Sequence, residues 1–205
     1  MINKKFQCKN DMKKKYKIDT NIFSKELLGF WLYLMSDCII FCTLFSVYFI
    51  LVDNVAQGPS GHNIFQNNLI IIETFLLLFS SFSCNLVLFE MKNKNLYMVF
   101  LWLGITFLLG LLFVFLELFE FFHLINLGFG PTRSGFLSSF FVLIATHGIH
   151  VISGLIWIIV MIKYVYTFNI TNLIYYRMLC LNLFWHFLDI VWVFIFSFVY
   201  LFGMV

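Results

Sequence analysis

The 205-residue chain is 62% hydrophobic and 11% charged, with a mean hydropathy of +0.95 and a formal net charge of +3. A soluble globular domain carries about a quarter charged residues, so this composition excludes one. It predicts an all-α polytopic membrane protein.

Five apolar segments, near residues 28–52, 69–91, 96–122, 136–162 and 178–204, are long enough to cross a bilayer, which takes about 20 residues. They predict a five-helix transmembrane domain over 25–205, preceded by a lysine-rich tail over 1–24. Twelve of the thirteen basic residues fall before the first span or in the second and fourth connections, and only Arg133 lies in the third. The positive-inside rule therefore predicts a cytoplasmic N-terminus and an external C-terminus. The tail is basic enough to touch anionic surfaces, but its plain reading is a topology signal, and no nucleic-acid partner is expected. No short apolar run with a small-residue cleavage site follows it, so no cleavable signal peptide is expected. The cysteines at 8, 38, 42, 84 and 180 have neither metal-binding spacing nor the placement of a disulfide framework.

The tail shows no helical periodicity. In the first span Asp37 falls roughly nine residues in, about 14 Å at the helical rise and close to the midplane, where it is either protonated or paired. The first external connection holds Gly58-Pro59-Ser60-Gly61, and the third holds Gly130-Pro131-Thr132-Arg133-Ser134-Gly135. These are the only two prolines, so no span is broken in the way ion-coupled transporters often break theirs. The second span aligns Glu73, Ser80 and Cys84. The third aligns Gly110, Phe113, Glu117 and Glu120. The fourth places His147, His150, Gly154 and Trp157 on one face, with Gly154 small enough to admit a neighbouring backbone. In the fifth, Asn182, His186 and Asp189 at i, i+4 and i+7 form a polar stripe that must face protein.

Three readings of these groups compete. Histidines on facing spans hold buried haems, but His147 and His150 share one helix and leave only His186 on another. A proton or ion path through Asp37, the histidines and Asp189 is the second, in a free-standing proton-coupled transporter. In the third, Asp and His satisfy each other between helices, while Glu73, Glu117, Glu120 and Arg133 gather near the outer surface to hold a lipid head group or one another. No nucleophile elbow, phosphate-binding glycine loop or zinc motif is present in the sequence, so no enzyme activity of the chain alone is expected.

Five motifs in order resemble subunit III of haem–copper oxidases: Phe30-Trp31-Leu32-Tyr33-Leu34-Met35-Ser36-Asp37, Glu73-Thr74-Phe75-Leu76-Leu77-Leu78-Phe79-Ser80-Ser81, Gly130-Pro131-Thr132-Arg133-Ser134-Gly135-Phe136, Thr146-His147-Gly148-Ile149-His150-Val151 and Trp185-His186-Phe187-Leu188-Asp189-Ile190-Val191-Trp192. The likeness is strongest to the five-helix branch found in bacterial bo-type quinol oxidases, with a cytochrome c oxidase as the neighbouring alternative. The resemblance implies an accessory subunit of the bacterial inner membrane that binds no haem or copper itself. It implies partners in the catalytic subunit I, the other oxidase subunits and phospholipid held in a cleft. It also implies a role in stabilising the complex and sustaining proton uptake. Asp37 matches a position where many seven-helix relatives carry a carbodiimide-reactive Glu, and Glu120, His147, His150, His186 and Asp189 match positions lining helix interfaces and the lipid cleft.

Overall fold

The computed structural model describes residues 2–52 and 67–201, without the side chains of 2–24, 26, 67, 68 and 201, so the first Gly-Pro turn lies outside the described residues. It contains five long α-helices, α1 (Ile2–Leu51), α2 (Asn67–Asn93), α3 (Leu96–Asn126), α4 (Gly135–Phe168) and α5 (Asn172–Ile195), and α5 runs into a π-helical turn at Phe196–Leu201. All five contain a stretch long and apolar enough to span a membrane, and no strand occurs among the described residues.

Several helices overrun the predicted spans. α1 is helical from Ile2, through the lysine-rich stretch that lacks an amphipathic pattern. Lysine is a good helix former, no Gly or Pro precedes Gly29, and a helix growing from an apolar span needs no second nucleation. α4 reaches Phe168 and α5 begins at Asn172, so the fourth connection shrinks to three residues. Asn169 takes a left-handed φ of 54° there, and the Thr171 hydroxyl accepts the Ile174 N–H at 3.4 Å as an N-cap. α2 turns into α3 through Lys94 at φ 58°, whose N–H donates to the Met91 carbonyl at 3.2 Å. α3 ends in Gly128 at φ 80°, the left-handed geometry that glycine adopts without steric cost.

The chain divides into two compact units, Met1–Cys38 and Ile39–Val205. In the first, Phe30 and Tyr33 pair with ring centroids 5.9 Å apart, and Ser36 donates to the Tyr33 carbonyl at 2.7 Å. In the second, α2 packs along α3, α3 on α4, α4 on α5, and α5 back on α2, closing a four-helix ring. The spacing of buried residues explains this closure. On α3, Val99, Leu103, Thr106, Gly110, Phe113 and Glu117 are buried at alternating intervals of four and three, and so are Ile174, Met178, Leu181, Trp185, Leu188 and Trp192 on α5. The opposite face of α3 exposes Leu108, Phe115 and Phe122, each 65% accessible. Apolar side chains thus fill the core and cover the outer face as well, with a minority of polar groups such as Thr106 and Glu117 kept inside.

Candidate functional site

The interior of the ring is held by a polar seam between α2 and the antiparallel α5. Asn85 lies at one end of it: its Oδ1 accepts from Asn182 Nδ2 at 3.0 Å and lies 3.0 Å from His186 Nε2. Because that oxygen is an acceptor only, His186 carries its ring proton on Nε2. Farther along, the Trp185 indole donates to Ser80 Oγ at 2.9 Å, and Ser80 donates onward to the Leu77 carbonyl at 2.7 Å. At the far end the Trp192 indole donates to Thr74 Oγ1 at 3.2 Å. A separate link, Ser83 to Thr106 at 2.7 Å, joins α2 to α3.

The fifth-span stripe is thus partly divided. Asn182 and His186 share Asn85, whereas Asp189 is buried with neither carboxyl oxygen hydrogen-bonded. His186 Nδ1 is 4.0 Å from Asp189 Oδ2, beyond hydrogen-bond reach. The Ser81 hydroxyl lies beside Asp189 but spends its proton on the Leu78 carbonyl at 3.1 Å. The expectation that Asp and His satisfy each other between helices therefore does not describe this pair, which sits on one helix.

His147 is fully buried with neither ring nitrogen hydrogen-bonded, enclosed by the rings of Phe41, Phe113 and Trp192 at centroid distances of 6.4, 5.9 and 5.4 Å. His150 turns back to its own helix, with Nδ1 2.7 Å from the Thr146 carbonyl. Among the described residues no group of three His, Cys, Asp or Glu side chains is arranged to hold a metal ion.

Carboxyl groups gather at one end of the ring. Glu73 from α2 and Glu117 and Glu120 from α3 face one another, joined by Tyr200, whose hydroxyl donates to Glu120 Oε2 at 3.3 Å. The Glu117 carboxyl lies over Gly148, where a Cβ would stand 2.8 and 2.9 Å from its two oxygens. Arg133 does not join them. It is exposed, donates from Nη1 to the Gly128 carbonyl at 3.0 Å and stacks over Phe129 with 5.2 Å to the centroid. The hydrogen bond ties the guanidinium to the turn at Gly128. Asp37, in the first unit, is buried one turn from Tyr33, whose hydroxyl interacts with it.

Gly154 also differs from expectation. It admits the Trp185 ring, which would stand 2.9 Å from an added Cβ, instead of a neighbouring backbone. Asn85, Thr74, Trp185, Trp192 and Tyr200 were not among the predicted site residues. Hydropathy counts one Asn in an apolar run as noise, and a Trp in a span reads as packing until its N–H is found to have a partner.

The chain resembles characterised proteins over most of its length. The family described as cytochrome c oxidase subunit III matches residues 11–204. Cytochrome bo(3) ubiquinol oxidase subunit 3 of Pseudomonas putida is 50% identical over 177 residues, 86% of each chain. The same-named subunit of Buchnera aphidicola subsp. Acyrthosiphon pisum is 47% identical over 88% of each chain. Quinol oxidase subunit 3 of Bacillus subtilis is 42% identical over 87% of this chain and 88% of that one. With its five membrane-length helices and a match spanning nearly its whole length, the chain belongs to the cytochrome c oxidase subunit III family.

Proposed function

We propose that the chain is the accessory subunit III of a proton-pumping quinol oxidase in a bacterial inner membrane, with its N-terminus cytoplasmic and its C-terminus periplasmic. The observation that carries this reading is identity of 42–50% to quinol oxidase third subunits from Pseudomonas and Bacillus, over at least 86% of the chain. The chain supplies shape, not redox chemistry. Its polar groups bond helix to helix, and the haems and copper belong to the catalytic subunit. Asn182 and His186 fasten α5 to α2. Glu73, Glu117, Glu120, His147, His150 and Asp189 line helix interfaces. The exposed apolar faces take phospholipid chains, and the assembled subunit sustains proton uptake by its catalytic neighbour. Purification of the tagged chain in mild detergent, with identification of the proteins that accompany it, tests this. Haem-bearing chains and quinol oxidation should co-purify, and a chain that elutes alone contradicts the proposal.

A further inference from the structure

Asn85 spends its amide unevenly. Its oxygen is used twice within the chain, by Asn182 and His186, but its NH2 group has no acceptor among the described residues and lies on the exposed side of α2. The group lies inside the apolar span Leu69–Asn93, about 12 Å along the helix from Asn93 and about 7 Å from Glu90, the nearest charged residue of α2. His186, with 35% of its side chain exposed, opens beside it. The surroundings are apolar: Phe82 (61% exposed) and Phe89 (60%) flank Asn85 one turn to either side, and Ile190 (56%) lies one turn beyond His186.

Two unspent donors facing lipid are costly, because hydrocarbon offers no acceptor. We infer that this face is where a transmembrane helix of another oxidase subunit docks, presenting a side-chain acceptor oxygen (carboxyl, amide or hydroxyl) to the Asn85 amide. A polar centre inside an apolar rim is the anatomy of an interface hot spot, and interhelical hydrogen bonds of this type hold membrane helices together. A second copy of the chain fits poorly. In a two-fold contact Asn85 would meet Asn85 with both oxygens already occupied, donor against donor.

The inference rests on the proposed place of the chain in an oxidase complex, and one experiment separates the two. Photo-reactive benzoylphenylalanine replaces Phe89, an exposed side chain outside the seam, so the fold is preserved. The intact complex is purified, irradiated and searched for adducts by mass spectrometry. Adducts on a transmembrane peptide of another subunit that carries an acceptor side chain are the expected result. With the partner chains present, adducts on lipid alone, or on a second copy of this chain, overturn the docking face and leave the proposed function standing. A labelled chain that purifies without partners overturns both.

Discussion

Trp185 donates its indole N–H to Ser80 at 2.9 Å across 105 residues of sequence, while the edge of the same ring lies against Gly110 and Gly154. One side chain on α5 therefore touches α2, α3 and α4, and the ring of helices closes around it. Ser80→Ala leaves that N–H without a partner. It should lower the stability of the chain by about 1 kcal/mol, the usual worth of an interhelical hydrogen bond in a membrane. Thermal denaturation of the purified protein in detergent reads the change.

Three glycine substitutions test the packing around the indole. A Cβ at Gly154 would stand 2.9 Å from Trp185 Cζ3, and one at Gly110 3.0 Å from Trp185 Cη2 and Leu155 Cδ2, whereas Gly104 has nothing within 4 Å. The indole is rigid and cannot withdraw. Gly154→Ala and Gly110→Ala should each destabilise by about 1–3 kcal/mol, with Gly104→Ala neutral or slightly favourable. Melting temperatures of the three variants in one detergent give the order.

Gly148 faces a softer neighbour. The atoms nearest to where an alanine methyl would stand are the Glu117 carboxyl oxygens at 2.8 and 2.9 Å, the far end of a flexible side chain. Gly148→Ala should therefore cost less than Gly154→Ala. Combining it with Glu117→Ala should cost less than the sum of the two, with a coupling of about 0.5 kcal/mol or more. A double-mutant cycle on thermal stability measures it, and strict additivity would count against the contact.

Much of this architecture is legible in the sequence. Hydropathy finds the five spans of the described residues, and the spacing of Asn182, His186 and Asp189 puts the three on one face of α5, where Asn182 and His186 meet Asn85. What the pattern cannot supply is the partner. Asn85 lies 97 residues from Asn182 and 101 from His186, and nothing in its own apolar run marks it as shared between them. Arg133 illustrates the opposite case: its charge suggests pairing with the nearby glutamates, but its local turn offers a backbone carbonyl first. Helix ends escape for a third reason. A hydropathy window stops at the charges of Lys163 and Arg177, while the helical backbone hydrogen bonds continue past them to Phe168 and from Asn172.

The seam also ranks its own members. Asn85 serves two side chains, whereas the oxygens of Asp189 accept no hydrogen bond. Asn85→Ala should reduce the yield of assembled complex, and Asp189→Asn should leave it nearly unchanged. Turnover per intact complex should stay within about twofold of the parent for both, a change in barrier of no more than RT ln 2. Quinol oxidation normalised to haem content is the measurement. Immediate loss of turnover in intact Asp189→Asn complex would instead assign that carboxyl to a proton path.

On the proposed function, chemistry resides in a neighbouring subunit and this chain supports it. The most direct measurement is a reduced-minus-oxidised difference spectrum of the chain after it has been separated from its partners in detergent. The expected result is no haem band in the separated chain and the full haem complement in the fraction containing its partners. A stoichiometric haem band travelling with the separated chain would contradict it.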